Sequence, residues 1–350
     1  MTLGPLMVDL AGPDLLAEER ELLAHPLIGS VILFARNYED PAQLTRLVTA
    51  IHAVRSPPLI VAVDHEGGRV QRFRAGFSAL PPLRRIGHEY DRDARAGLEL
   101  ARRLGWLMAA ELRAHGVDHS FAPVVDLDRG MSSVIGDRAF HARAGVVAAL
   151  AVAYMHGMRD AGMAATAKHF PGHGGVAADS HVALPVDRRA LVDLEDDLTP
   201  FRRMIANGLA SVMVAHLLFP EVDEVPASLS PRWIRGVLRS DLGFQGVVCA
   251  DDLSMAGARA GGDIVECATR ALAAGCDVLP VCNDRAAVLK LLDALHAPPD
   301  PVSQLRIVRL RGHGGPGREQ LLGSAAWRDC QETLRRCAAT PALQLEAGPA

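Results

Sequence analysis

The sequence predicts an α/β fold, a single (β/α)₈ barrel of the TIM type. Short apolar, β-branched runs alternate with longer helical patterns, as buried parallel strands alternate with crossover helices. There are eight such runs, and eight βα repeats close a barrel, whereas an open doubly wound sheet usually has about five or six strands. No GxGxxG turn follows the first run, and a chain of 350 residues is within the range of one barrel.

The predicted elements follow one another in strand–helix order. We predict strands at residues 5–10, 27–34, 59–64, 118–125, 164–169, 211–216, 246–251 and 277–281. Helical patterns cover residues 41–54, 94–115, 142–160, 188–207, 263–274 and 285–296.

The last part of the chain departs from this repeat. A Pro-rich break at residues 297–302 ends the βα pattern, and residues 304–340 have a helical pattern with a Gly-rich interruption at 312–317. We therefore expect a barrel domain over residues 1–300 and a C-terminal helical appendage over residues 301–350. The appendage is expected to pack on the barrel and to end in a disordered tail.

Composition excludes several classes of partner. The 37 basic and 41 acidic side chains are spread without a basic stripe, so we expect no nucleic-acid partner. Residues 1–15 lack the pattern of a signal peptide, and no window of about 18 apolar residues occurs, so we expect a cytoplasmic protein with no membrane partner. The six cysteines form no CxxC pair, which favours reduced thiols. We also expect a monomer.

Polar groups stand at the carboxyl ends of four predicted strands. They are Asp64 with the following HEGGR, Lys168-His169, His216, and Asp251-Asp252. A single charged residue at a strand end is more often solvated or caps the next helix. Active sites of (β/α)₈ barrels lie at this end, so four groups there are expected to converge on one cleft.

The densest polar segment runs from Lys168 to Gly175 and continues to Asp179 and His181. Its glycines and proline predict a mobile loop that folds back over the pocket. Asp179 and His181 are two residues apart, close enough for the carboxylate to accept a hydrogen bond from the imidazole, which outlines a general acid/base pair. Lys168 is one of only two lysines in an arginine-rich chain, which indicates a need for a compact charge.

Two other interpretations of the loop stay open. His169, His173 and His181, with a nearby aspartate, are candidate metal ligands, although their spacing matches no HExxH-type signature. The GHGG glycines are a candidate phosphate cradle, but they lack the GK[ST] ending of a P-loop. Neither pattern is specific, and we expect no metal and no organic cofactor.

The Asp251-Asp252 pair supplies a carboxylate that could attack an anomeric carbon. Because side chains alternate along a strand, only one of the two neighbours is expected to point into the pocket. Periodicity alone does not choose between them.

Five ordered blocks resemble the cytoplasmic β-N-acetylhexosaminidases of glycoside hydrolase family 3. They are residues 63–72 (VDHEGGRVQR), 121–126 (FAPVVD), 135–140 (IGDRAF), 168–174 (KHFPGHG) with 179–181 (DSH), and 251–255 (DDLSM). In one departure, His65 stands where this group usually has glutamine. The resemblance implies removal of terminal β-linked N-acetylglucosamine from peptidoglycan fragments that carry anhydro-N-acetylmuramic acid.

The resemblance also implies roles for individual residues. Asp251 would be the nucleophile of a retaining double displacement, and His181, held by Asp179, would be the acid/base. The residues that would bind the sugar hydroxyls and the N-acetyl group are Asp64, Arg72, Arg138, Lys168 and His169. Charge-assisted hydrogen bonds from such side chains discriminate strongly between sugars.

Three alternatives to hydrolysis by this route remain. A histidine acid/base carries no negative charge and would not repel phosphate, so a β-N-acetylglucosaminide phosphorylase is one alternative. A metal-dependent barrel hydrolase that uses the histidines as ligands is the second. A non-catalytic sugar-binding barrel is the third, and it would have no need of an acid/base pair.

Overall fold

The computed structural model of the protein describes residues 2–177, 184–259 and 262–339. Within these residues the strands are β1 (Leu6–Asp9), β2 (Ile28–Leu33), β3 (Ile60–Val63), β4 (His65–Gly67), β5 (Val70–Gln71), β6 (His119–Ser120), β7 (Thr166–Phe170), β8 (Ser211–Val214), β9 (Val247–Ala250) and β10 (Leu279–Val281).

Eight parallel strands form the barrel in the described part of the chain. Five pair in the order β10-β1-β2-β3-β6 and three in the order β7-β8-β9, while β4 and β5 make a separate antiparallel hairpin. Parallel bridges join the two groups at both seams, Val124 with Lys168 and Cys249 with Val278. The ring is therefore closed. All eight predicted strands are present, and the predicted (β/α)₈ barrel is confirmed.

Helices surround this ring. They are α1 (Ala17–Leu23), α2 (Pro41–His52), α3 (Leu83–Arg92), α4 (Ala94–Arg113), α5 (Ala144–Asp160), α6 (Glu195–Ala206), α7 (Ala256–Arg259), α8 (Ile264–Ala274), α9 (Arg285–Ala294), α10 (Pro301–Ile307), α11 (Arg318–Leu322) and α12 (Ala325–Ala339), with a π-helix at Arg232–Asp241. No described helix is long and apolar enough to cross a bilayer.

The predicted helix at residues 188–207 was too long, because α6 begins only at Glu195. A 3-10 helix (Leu191–Leu194) directly precedes it, and before that lies a loop in which Arg189 binds the carboxylates of Asp187 and Asp197. Three acidic residues, 195–197, occupy the first turn of α6, where the helix dipole favours negative charge. The acidic run marks the true start of the helix.

Strand alternation separates two apolar layers. Met7, Ile32, Ala62 and Cys249 point into the ring, and their immediate neighbours pack against the helices. Continued two residues past Ala62 and Cys249, the same alternation directs Asp64 and Asp251 into the mouth of the barrel at the carboxyl ends of β3 and β9. The fold thus delivers carboxylates from separate strands to one opening.

The C-terminal helices lie against the barrel at two places. Ile307 and Leu310 join Leu3 in the apolar cluster inside the ring. At the start of α12, the indole Nε1 of Trp327 donates a 2.8 Å hydrogen bond to Glu111 on α4. The division at residue 300 stays a prediction, and the predicted disordered tail, residues 340–350, lies outside the described residues.

Candidate active site

A cavity of about 230 Å³ opens at the carboxyl ends of the strands. It is lined by six of the side chains that the sequence singled out: Asp64, Arg72, Arg138, Lys168, His169 and Asp251. These residues come from four different parts of the chain, so the closed ring is what brings them together. The two other predicted site residues, Asp179 and His181, lie outside the described residues.

Lys168 is a buried cation held between two carboxylates. Its side chain is 3% exposed, and Nζ lies 2.7 Å from Oδ1 of Asp64 and 2.6 Å from Oε1 of Glu66. Burial alone would lower the pKa of Lys168, but the two carboxylates outweigh it and raise that pKa above its usual value. Lys168 therefore stays charged, and it holds Asp64 at the cavity wall.

Glu66 also binds Arg138 through a two-pronged ion pair. Nε and Nη2 of Arg138 donate to the two carboxylate oxygens of Glu66, each at 2.8 Å, and Nη1 donates to the carbonyl oxygen of Val134 at 3.1 Å. Burial would raise the pKa of Glu66, but Lys168 and Arg138 outweigh it and hold that pKa well below its usual range. The Glu66 carboxylate is ionised and fully engaged by cations.

The other wall of the cavity is organised by Asp126. Its carboxylate accepts hydrogen bonds from Nδ1 of His169 at 2.7 Å and from the backbone N–H of His173 at 2.6 Å. Burial favours the protonated acid, but His169 and His173 outweigh it and lower the pKa of Asp126. A neutral His169 ring with its proton on Nδ1 has Nε2 as an acceptor, whereas a protonated ring donates from both nitrogens.

The rim carries an aromatic ring flanked by two guanidinium groups. The Cζ atoms of Arg36 and Arg72 lie 4.7 and 5.5 Å from the ring centroid of Phe34. Arg72 also lies 3.8 Å from Oδ2 of Asp64, a longer contact than the Lys168 bond. The cation–π contact fixes the Arg72 side chain while leaving its donors largely unused.

Both adjacent aspartates line the cavity, contrary to the expectation that only one would, but their contacts differ. Asp252 accepts hydrogen bonds from the backbone and hydroxyl of Ser254 and from the backbone of Cys282, so it ties two loops together. Burial raises the pKa of Asp252 to about 6. Asp251 continues the inward-facing line of β9, and its Oδ1 accepts from the Asp252 backbone at 2.9 Å. Asp252 is thus committed to three donors from the two loops, whereas Asp251 follows the inward-facing line of the strand.

His216 does not belong to this cavity, contrary to the prediction that all four strand-end groups share one cleft. The ring is fully buried; Nδ1 bonds the hydroxyl of Ser228, and Nε2 lies 3.0 Å from the carbonyl oxygen of Asp252. His216 therefore stabilises the backbone of Asp252, the residue that follows Asp251.

A metal site is not evident in the part of the chain that the structure describes. Among those residues, no group of three or more His, Cys, Asp or Glu side chains could hold an ion. His169 and His173 are included in that search, whereas His181 is not.

Sequence reasoning did not assign Glu66 and Asp126 to the site. Both lie in sequence blocks that resemble family 3 enzymes, Glu66 in residues 63–72 and Asp126 in residues 121–126, and Glu66 lies two residues after Asp64. An acidic residue at the end of an apolar strand was the available signal for Asp126. The donors that each carboxylate binds lie far away along the chain: Asp126 and His169 are 43 positions apart, and Glu66 and Arg138 are 72 positions apart.

Comparison with known proteins places these features in context. The model of the glycosyl hydrolase family 3 N-terminal domain matches residues 6–309. A beta-hexosaminidase from Thioalkalivibrio sulfidiphilus is 55% identical over 346 residues, which cover 99% of this chain and 100% of that protein. One from Alkalilimnicola ehrlichii is 51% identical over 351 residues, again 99% and 100% of the two chains. The crystal structure of NagZ from Neisseria gonorrhoeae in complex with N-trifluoroacetyl-D-glucosamine superposes with a TM-score of 0.92 at 42% identity, covering 97% and 99% of the two chains.

Proposed function

The chain belongs to glycosyl hydrolase family 3 as a glycoside hydrolase of the beta-hexosaminidase type, and we propose that it is a retaining exo-β-N-acetylglucosaminidase. Its substrates would be peptidoglycan fragments in which terminal β-linked N-acetylglucosamine is joined to anhydro-N-acetylmuramic acid. The observation that carries the proposal is the shared cavity, in which Asp251 lies with Asp64, Lys168 and Arg138. Two relatives that match this chain over their full length are named beta-hexosaminidases, which supports N-acetylglucosamine as the sugar.

The proposed reaction is a double displacement. A carboxylate oxygen of Asp251 attacks C1 of the sugar, the glycosidic C1–O bond breaks, and the leaving oxygen takes a proton from His181. A water molecule then attacks C1 of the glycosyl ester, gives its proton to His181, and releases Asp251. Asp179 would orient the His181 ring. Two inversions at C1 give net retention.

The remaining polar side chains would bind the sugar. Asp64 offers carboxylate acceptors to hydroxyl groups, while Lys168, Arg138 and Arg72 offer charge-assisted donors. His169, whose Nδ1 proton is held by Asp126, offers Nε2 as an acceptor. Such a set penalises a substrate that lacks the matching groups, because buried polar atoms would then be left unpaired.

The proposal keeps the wider expectations from the sequence. The enzyme would act in the cytoplasm as a monomer, without nucleic-acid or membrane partners. The balanced charge of 37 basic and 41 acidic residues supports the absence of a polyanion partner.

One assay separates the proposal from the metal and sugar-binding alternatives. Hydrolysis of nitrophenyl β-N-acetylglucosaminide and of the β-glucoside would be compared with and without a chelator, alongside elemental analysis. We expect strong preference for the N-acetylated substrate and no effect of the chelator. Loss of activity on chelation would favour the metal hydrolase, and saccharide binding without turnover would favour a binding protein.

Product analysis tests the phosphorylase alternative. With inorganic phosphate in the reaction, we expect free N-acetylglucosamine as the product because water is the proposed acceptor. Formation of N-acetylglucosamine 1-phosphate would instead show that phosphate attacks the glycosyl-enzyme.

A further inference from the structure

Glu66 is a deeply buried charge in the cavity and has no assigned role. The residue is 2% exposed, and its carboxylate receives donors from Lys168 and from both Nε and Nη2 of Arg138. A buried carboxylate with three charged donors has little capacity left to bind a ligand itself. Its effect on the site must therefore pass through the two cations.

The bonds to Glu66 determine which donors the cations have left. Lys168 has three N–H groups, and two of them point at Asp64 and Glu66. Arg138 has five, of which two point at Glu66 and one at Val134. The remaining N–H groups have directions set by these contacts. Without Glu66, the flexible Lys168 chain and the Arg138 fork would lose their shared anchor.

Glu66 also sets the charge balance around Lys168. The charged and titratable groups that act on this amine are Asp64, Glu66 and Arg138, with His119 on the neighbouring strand also coupled to it. Asp64 additionally faces Arg72. Neutralising Glu66 would leave Asp64 as the principal carboxylate near Lys168, Arg138 and Arg72. The pKa of Lys168 would then fall, because one of the two negative charges that stabilise its protonated form is gone.

We propose that Glu66 is a positioning residue that fixes the directions of the Lys168 and Arg138 donors for sugar binding. This role rests on the proposed function, since it assumes that those donors contact N-acetylglucosamine. It predicts two separate effects of removing the carboxylate: weaker binding of the sugar, and a new sensitivity of activity to high pH.

The test compares Glu66→Gln, Glu66→Asp and Glu19→Gln. Glu19 is a matched control because it is also buried and bonded to an arginine, Arg285, but does not line the cavity. For each variant, kcat/KM on nitrophenyl β-N-acetylglucosaminide is measured from pH 6 to pH 10. The Ki of N-acetylglucosamine as a competitive inhibitor is measured at pH 7, and folding is monitored by thermal unfolding.

Glu66→Gln should raise the Ki by about tenfold or more, because the buried negative charge that both cations contact is lost. The alkaline limb of its kcat/KM profile should begin at a lower pH than that of the parent enzyme, since Lys168 loses one of the two carboxylates that raise its pKa. Glu66→Asp, which keeps the charge but shortens the reach, should raise the Ki without moving the limb. Glu19→Gln should lower the unfolding temperature and leave both readouts unchanged.

The outcomes distinguish a failure of the proposed role of Glu66 from a failure of the proposed function. An active parent enzyme whose Glu66→Gln variant keeps the original Ki and alkaline limb would overturn the role of Glu66 alone. An inactive parent enzyme would overturn the proposed function instead. If Glu66→Gln does not fold, Glu66→Asp decides, and an unchanged Ki in that variant would overturn the role.

Discussion

The Nδ1 atom of His169 lies 2.7 Å from Oδ2 of Asp126, a carboxylate with no exposed side-chain surface. The same carboxylate accepts the backbone N–H of His173, so one buried group holds both the ring and the loop that follows it. The His169 ring also lines the cavity, so Asp126 fixes the orientation of a side chain that a ligand would meet.

Replacing Asp126 by asparagine should therefore weaken both folding and catalysis. The amide oxygen can accept from only part of the donor set, and its NH₂ group would face another donor. We expect the unfolding free energy to fall by about 2–4 kcal/mol and kcat/KM to fall by about tenfold or more. Denaturant unfolding and steady-state kinetics measure the two effects.

Asp128 provides the control for this substitution. It lies two residues further along; its Oδ2 is 4.0 Å from Arg84, and its Oδ1 accepts the backbone N–H of Gly130 at 3.1 Å, a bond that asparagine can keep. Asp128→Asn should change the unfolding free energy by no more than about 1 kcal/mol. Equal effects at both positions would mean that the Asp126–His169 bond has no special role.

His65 should make the protein sensitive to acid. The ring is 1% exposed, and burial lowers the pKa of His65 to about 3. The unfolded chain binds a proton near the ordinary value of 6.5, whereas the folded chain does not, so stability falls as pH drops below 6.5.

Glutamine is the usual residue at this position in the family 3 enzymes that the sequence resembles. The His65→Gln variant should therefore lose the acid sensitivity that His65 causes. Between pH 6.5 and 4.5 the parent protein should lose about 2–3 kcal/mol more unfolding free energy than His65→Gln. Denaturant titrations at a series of pH values measure the difference. Parallel pH dependence in the two proteins would show that His65 does not titrate as described.

Asp252 should show the opposite dependence. Burial raises the pKa of Asp252 from 3.8 to about 6, so its ionisation costs stability as pH rises through this interval. Asp252→Asn can keep both backbone bonds on Oδ1 and can donate to the Ser254 hydroxyl at the Oδ2 position.

The Asp252→Asn variant should therefore gain stability relative to the parent protein as pH rises from 4 to 7. The gain should reach about 2–3 kcal/mol. Unfolding free energies at the two pH values measure it. A gain that is the same at both would show that Asp252 is ionised at its ordinary pKa.

Trp327 tests whether the C-terminal helices fold together with the barrel. Trp327→Ala removes the packing of the indole and its bond to Glu111, and should lower the unfolding free energy by about 2–3 kcal/mol while KM is unchanged. Trp327→Phe, which loses only the N–H, should cost about 1 kcal/mol. Calorimetry distinguishes the outcomes, because a separate low-temperature transition would indicate an independent appendage.

The barrel could be predicted because its strands are encoded locally. Runs such as residues 59–64 and 246–251 are apolar, β-branched and short, and each ends on a polar residue. Alternation through Ala62 and Cys249 then directs Asp64 and Asp251 to the same opening. Position in the chain was enough to place Asp64 and the Asp251-Asp252 pair at this opening, whereas only the family resemblance singled out Asp251 from the pair.

Other features depend on contacts that the sequence does not display. Glu66 and Asp252 are acidic residues close to Asp64 and Asp251 in the sequence. Only the folded structure shows that Glu66 binds Arg138 and Lys168, and that Asp252 bonds to two loops. The helix α3 was missed because its segment is mostly polar and buries only Leu83, Ile86 and Gly87. The π-helix was missed although Trp233 and Ile234 are followed four residues later by Val237 and Leu238, an amphipathic spacing that could have been found.

The central claim is that Asp251 is the nucleophile of a glycosyl-enzyme. It is tested most directly by treating the protein with a 2-fluoro sugar that traps the intermediate and measuring intact and peptide masses. We predict one label, on Asp251, which is absent from Asp251→Ala and present in Asp252→Asn. Undiminished labelling of Asp251→Ala, or a label on another residue, would contradict the account.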